Sequence, residues 1–205
     1  MKRIGLLGGA FNPPHRGHLR LARLALDLLD LDELRFVPTA LSPHKPDPGG
    51  TDTRTRLRLL TEALDGFDSR CRVETLEVER GGTSYTVGTL EDLSGREPDT
   101  GWILLMGSDQ LPGLPSWRQV ERIFQLASAA VALRPGAAFE VPPVPGLHRA
   151  PAWSGSPGEL VVLPGTELDL ASTDLRERLR TAPFEDPGGL PPQVLGTIRS
   201  ENLYR

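Results

Sequence analysis

Apolar residues recur along the chain in two alternating rhythms: short continuous runs, and longer stretches in which leucine and alanine return at every third or fourth position. That alternation marks βαβ units, in which a parallel sheet is covered by helices. Ile4 to Leu7 predicts a first buried strand. A helix follows over His18 to Leu29, with Leu19, Ala22, Leu26 and Leu29 at helical spacing, and Leu34 to Val37 predicts a second strand. Thr53 to Leu64 places Leu57, Leu60 and Leu64 on one helical face and most of its arginines and threonines on the other. The elements predicted next are a strand over Val73 to Val78, a helix over Ser84 to Leu93, a strand over Trp102 to Met106, a helix over Trp117 to Leu126 and a strand over Ala129 to Leu133. Gly136 to Gly158 is crowded with proline and glycine, which predicts an irregular excursion. Leu160 to Leu163 resumes a strand, Asp174 to Leu179 a helix, and Pro191-Pro192 suits the opening of a last helix, where the missing N–H costs nothing. The expected fold is α/β: one doubly wound, Rossmann-like domain over residues 1–205, with a mainly parallel sheet flanked by helices and an irregular 136–158 segment.

Composition narrows the chemistry. A chain of 205 residues can bury one substantial core. Its net charge of −4 argues against a surface built to neutralise nucleic-acid backbones, so no nucleic-acid partner is expected and any anion needs a local site. A lone cysteine, Cys71, cannot form an internal disulfide, which favours a reducing, cytoplasmic compartment. The opening Met1-Lys2-Arg3-Ile4-Gly5-Leu6-Leu7 stops at Gly8-Gly9, too short for an export signal. No later stretch approaches the roughly 20 apolar residues of a membrane span. Homo-oligomer formation is left open.

The segment between the first strand and the first helix, Gly8-Gly9-Ala10-Phe11-Asn12-Pro13-Pro14-His15-Arg16-Gly17-His18, lies where ligands bind in open α/β sheets. Its glycines let the backbone approach a ligand closely, and its prolines stiffen the path into the helix. His15 and His18, three apart at a helix start, project from one face. Exposed N–H groups and the positive end of the helix dipole favour an anion there, and two imidazoles add donors that suit charge developing on a leaving polyphosphate. Two other readings stand beside this one. The pair could ligate zinc, although the chain has four histidines, one cysteine and no second pair with ligand spacing; or the glycines and prolines could simply shape a turn. Neither the Gly-x-Gly-x-x-Gly fingerprint nor a Walker sequence occurs at the loop, which disfavours a dehydrogenase or a P-loop ATPase.

Gly9-Ala10-Phe11-Asn12-Pro13-Pro14-His15-Arg16-Gly17-His18 resembles the Gly-x-Phe-Asp/Asn-Pro-x-His-x-Gly-His signature of the nucleotidyltransferase superfamily. Pro43-His44-Lys45, Ser84-Tyr85-Thr86, Gly107-Ser108-Asp109, Pro115-Ser116-Trp117, Arg134-Pro135-Gly136 and Ser172-Thr173-Asp174-Leu175-Arg176-Glu177-Arg178 are similar, in order, to segments of the bacterial nicotinate-nucleotide adenylyltransferases. The likeness runs from Met1 to Leu203-Tyr204-Arg205 and is weakest between Ala137 and Glu159.

The resemblance implies adenylyl transfer from ATP to nicotinate mononucleotide, giving nicotinate adenine dinucleotide and pyrophosphate in NAD biosynthesis. It puts His15, His18, Ser172, Thr173 and Arg176 on the ATP phosphates, with Gly8, Gly9, Ala10 and Phe11 forming the loop around them, and Gly107, Asp109 and Arg134 along the adenosine. His15, His18 and Arg176 are the residues implied to act in catalysis. On the acceptor side it implies Lys45 near the mononucleotide phosphate, Trp117 stacked on the pyridine ring, and Tyr85 and Thr86 at a helix N-terminus facing the carboxylate. The plainer alternatives are a solvated Lys45, a core-packed Trp117, an ordinary Ser84 cap, and an Asp174–Glu177 capping box beside an exposed arginine. Mg²⁺ is expected to travel with ATP rather than in a protein cage. Three positions depart from the family's pattern: Asn12 stands where many relatives carry Asp, Ala171 where serine is frequent, and Asp174 is more polar than usual. The rival functions are a transferase of the same superfamily acting on nicotinamide mononucleotide or another phosphate acceptor, and a regulator that holds the nucleotide without turnover.

Overall fold

Seven strands, all parallel, form the centre of the molecule, with helices on both faces; the computed structural model describes residues 1–41, 51–133, 139–163, 170–182 and 185–205. In chain order the elements are β1 Lys2–Gly9, α1 Arg16–Leu28, β2 Glu33–Pro38, α2 Thr53–Leu64, β3 Cys71–Val73, α3 Leu76–Arg80, α4 Thr86–Arg96 and β4 Thr100–Gly107. A 3₁₀ segment Ser108–Ser116 leads to α5 Val120–Leu126, then β5 Ala127–Ala132, β6 His148–Arg149, β7 Glu159–Leu163, α6 Ser172–Thr181 and α7 Pro192–Ser200.

The strand order is β3-β2-β1-β4-β5-β7-β6. The chain winds outward from β1 to β3, then returns to lay β4 on the other side of β1, so the carboxyl ends of β1 and β4 flank a topological switch point. The central strands are near-continuous apolar runs because both faces are covered. Side chains alternate between faces: Ile4, Leu6, Trp102, Leu104, Met106, Ala129 and Val131 pack with Val87, Leu90 and Leu93 of α4 and with Ile123 and Phe124 of α5. Leu7, Phe36, Ile103, Leu105, Ala130 and Val161 pack with Leu21, Ala22, Ala25 and Leu26 of α1. A third cluster seats α6 and α7 on Leu59 and Ala63 of α2, which carries the chain's end back over the first half of the fold. Among the described residues, no helix is long and apolar enough to cross a membrane.

Several expectations need correction. The run Val73 to Val78 is a strand only to Val73; from Leu76 it is a short helix, with Thr75 in the helical region and Gly81 at φ +69° closing it, a backbone value open to glycine. The helix expected from Trp117 begins at Val120, because Pro112 and Pro115 hold the preceding residues in 3₁₀ form, Trp117 is extended and Gln119 turns through φ +51°. On α2 the buried residues are Arg56, Leu59, Leu60 and Ala63, so the face is rotated from the expected one and takes an arginine inward. Within the 136–158 excursion, His148–Arg149 forms a short edge strand beside β7.

Candidate active site

A cavity of about 1050 Å³ opens over the carboxyl ends of β1 and β4, and its walls are the loops that leave the strands there. Helix α1 begins two residues earlier than the periodicity indicated, at Arg16, because His15 rather than His18 is its N-cap. His15 is extended, at φ −141° and ψ 167°, and His18 is the third helical residue. The His15 backbone N–H donates to Nδ1 of His18 at 3.2 Å. In neutral His18 the ring proton is therefore on Nε2, the nitrogen at the far side of the ring. The two imidazoles stack with centroids 3.6 Å apart, and Phe11 meets His18 edge-on at 4.9 Å. Gly17 makes this possible, since a Cβ there would lie 2.9 Å from Nδ1 of His15. The spacing His-x-Gly-His is thus a packing requirement as well as a pattern of donors.

The loop before the helix is held in a demanding shape. Phe11 is buried with φ +48°, a region that costs an aromatic residue free energy and persists only where its surroundings fix it. Helix α6 supplies part of that fixing. Arg176 Nη1 donates to the Asn12 carbonyl at 2.7 Å, and Ser172 Oγ donates to the Pro13 carbonyl at 3.1 Å. The N-termini of α1 and α6, 159 residues apart along the chain between Pro13 and Ser172, thereby meet at one wall of the cavity. Asp174 and Glu177 do not form a capping box: the N-cap is Ala171, and Glu177 pairs with Arg180 at 2.6 Å.

Of the residues singled out on the ATP side, Gly8, Gly9, Ala10, Phe11, His15, His18, Gly107, Asp109, Ser172, Thr173 and Arg176 all line this cavity. So do Tyr85, Thr86 and Trp117, carried by α4 and by the segment before α5, which pack on the other face of the sheet from α1. Lys45 and Arg134 lie outside the described residues. Tyr85 is the N-cap of α4 and Thr86 its first residue, so the helix start faces the cavity; Ser84, instead of capping, accepts from the Ala40 N–H at 3.0 Å. Trp117 is half-buried against the core, and its neighbour Arg118 lies 4.7 Å over the Tyr85 ring. Among the described residues, no group of three or more His, Cys, Asp or Glu side chains is arranged to hold a metal ion.

Three cavity residues escape a reading of the sequence. Arg56 of α2 is 6 % exposed and binds backbone carbonyls at the cavity floor. Glu77, within the segment first read as a strand, is buried and accepts from Thr89 Oγ1 at 2.7 Å; burial pushes its carboxyl up, while hydrogen bonds from Thr89 and Ser84 and the charge of Arg80 pull it back. Thr51 joins the chain's end to the loop before α1, its hydroxyl lying 3.4 Å from Asn12 Oδ1 and 3.3 Å from the Tyr204 hydroxyl. Burial pushes the Tyr204 phenol up to about 12, so at neutral pH it keeps its proton.

Comparison with known proteins places these features in a group. A family model described as cytidylyltransferase-like matches residues 6–178. A protein of Shouchella clausii described as a probable nicotinate-nucleotide adenylyltransferase is 37 % identical over 205 residues, covering 100 % of this chain and 97 % of its own. One of Bordetella petrii with the same description is 36 % identical over 206 residues and is covered over 100 % of both chains. Among solved structures, the Plasmodium falciparum nicotinic acid mononucleotide adenylyltransferase complexed with NaAD superposes with a TM-score of 0.77 over 100 % of this chain and 98 % of that one, at 17 % identity.

Proposed function

The chain belongs to the nicotinate-nucleotide adenylyltransferases of the cytidylyltransferase-like family, and from that premise we propose how its cavity joins ATP to nicotinate mononucleotide to make nicotinate adenine dinucleotide and pyrophosphate. The observation that carries the reading is the meeting of His15, His18 and Arg176 in one cavity whose other side is formed by Tyr85, Thr86 and Trp117. One cavity with a cationic wall and an aromatic wall suits a triphosphate facing a pyridine nucleotide.

In this reading an oxygen of the mononucleotide 5′-phosphate forms a bond to the α-phosphorus of ATP while the bond from that phosphorus to the β-bridging oxygen breaks. The electron pair leaves with pyrophosphate. No covalent enzyme intermediate is needed, because a phosphate is already nucleophilic near neutral pH and the protein's work is to align two anions and offset their repulsion. His18 Nε2–H, fixed as the donor by the His15 amide, stabilises charge building on the leaving phosphates. Arg176 and the N-termini of α1 and α6 hold the triphosphate. Asp109 accepts from ribose hydroxyls. The start of α4 offers N–H groups of Tyr85 and Thr86 to the nicotinate carboxylate, and Trp117 offers its face to the pyridinium ring. Lys45 and Arg134, outside the described residues, are assigned by the family resemblance to the mononucleotide phosphate and the adenosine. His15, His18 and Arg176 offer N–H donors and not the oxygen ligands that magnesium takes, so a magnesium ion would enter with ATP and would supply further neutralisation of phosphate charge. The cytoplasm suits a chain with one cysteine.

The reading is tested by incubating the protein with ATP, Mg²⁺ and either nicotinate or nicotinamide mononucleotide while measuring dinucleotide and pyrophosphate together. Equimolar products, formed faster with the acid, are expected. ATP binding without pyrophosphate release would point to the regulator, and preference for the amide to the sister transferase. In the same assay Trp117→Ala is expected to raise KM for the mononucleotide about 2- to 30-fold, the loss of a cation–π contact of about 0.5–2 kcal/mol, with a smaller effect on KM for ATP. Equal effects on both would contradict the stacking role.

A further inference from the structure

We propose that Arg56 is a positioning residue that sets the distance between the two half-sites, an inference that rests on the function proposed above. Its side chain is 6 % exposed and lines the cavity from α2. Nη1 donates to the Ala10 carbonyl at 2.6 Å, and Nη2 donates to the carbonyls of Thr39 at 2.8 Å and Ala40 at 3.3 Å and to Thr53 Oγ1 at 3.0 Å.

These acceptors lie on two different loops. Ala10 leaves β1 and leads into Phe11, at φ +48°, and on to His15. Thr39 and Ala40 leave β2, and the strip is docked on the acceptor side: the Ala40 N–H donates to Ser84 Oγ at 3.0 Å and the Ser84 N–H to the Leu41 carbonyl at 2.9 Å, directly before Tyr85 and Thr86. The backbone link between the strands runs out with the Thr39 N–H donating to the Gly9 carbonyl at 3.0 Å. From there the loops diverge to enclose the cavity, and the guanidinium spans the gap with its two-pronged fork. Anchoring the Ala10 carbonyl turns the N–H of the same planar peptide, that of Phe11, in the opposite direction and holds the strained residue in place. A lysine carries the same charge but has one point of attachment, so it cannot hold both loops at a fixed spacing.

Each half-site keeps its own ligand contacts when this link is lost, whereas the alignment of attacking oxygen, phosphorus and leaving oxygen does not. The signature is therefore a loss in kcat with little change in KM. With wild-type enzyme first shown to form dinucleotide and pyrophosphate, Arg56→Lys is expected to lower kcat at least about tenfold, since misplacement by about 1 Å can cost 10²-fold, with both KM values within about threefold of wild type. Wild-type kcat in a folded Arg56→Lys, or a loss confined to KM, overturns the proposal. If that variant does not fold, Thr53→Val, which removes one acceptor from Nη2, decides: a kcat lowered about two- to fivefold at constant KM supports the role, and an unchanged kcat overturns it. A wild-type protein without transferase activity would instead remove the function on which the inference rests.

Discussion

Replacing His18 by alanine is expected to lower kcat for dinucleotide formation about 10²–10³-fold, the effect of removing one preorganised donor from developing transition-state charge. The size of the effect follows from how completely this ring is fixed before substrate arrives. The His15 amide occupies Nδ1, the His15 ring stacks on one face and Phe11 meets it edge-on, so the imidazole has neither its tautomer nor its orientation left to choose. A donor fixed in advance costs no reorganisation during the reaction. KM for ATP is expected to change less than kcat, because the ring serves charge that grows as pyrophosphate departs. A folded His18→Ala with unchanged turnover would falsify the role.

Arg176→Ala should act differently. Its guanidinium holds the Asn12 carbonyl with one nitrogen and approaches Thr173 Oγ1 at 3.4 Å with the other, so it both braces the loop before α1 and presents charge at the cavity. Loss of charge-assisted hydrogen bonds worth about 1.5–3 kcal/mol is expected to lower kcat/KM for ATP about 10- to 150-fold. The loss falls on ATP and not on the mononucleotide. Arg176→Lys should recover part of it, since charge returns without the fork. Steady-state kinetics with each substrate varied in turn separate the cases, and equal losses for both substrates would place Arg176 outside the triphosphate side.

Much of this architecture is legible in the sequence because parallel strands covered on both faces must be continuously apolar, as Ile4 to Leu7 and Trp102 to Met106 are. The loop that carries His15 and His18 was legible for a related reason: it is built locally, from a strand end, a glycine turn and a helix start that are contiguous in the chain. What stayed hidden depends on tertiary contacts. Arg56 reads as a solvated helix charge because periodicity counts leucines and cannot show that backbone carbonyls of two other loops converge on that face. Glu77 sits in a stretch whose alternation imitates a strand, and the Thr89 and Ser84 hydroxyls that hydrogen-bond its buried carboxyl come from a later segment of the chain. Trp117 lines the cavity from an extended segment rather than from the expected helix start, because two prolines preserve the 3₁₀ run before it. The link from Tyr204 through Thr51 to Asn12 joins residues from three distant parts of the chain, and no local pattern carries it.

The most direct test of a single triphosphate site shared by His15, His18 and Arg176 is the imidazole nitrogen–proton spectrum of ¹⁵N-histidine-labelled protein during titration with a hydrolysis-resistant ATP analogue. The ring signals of His15 and His18 are expected to shift together with a single Kd, adenosine alone should leave them in place, and Arg176→Ala should weaken that Kd. Ring signals that do not move at saturating analogue, or that move independently of Arg176, would contradict it.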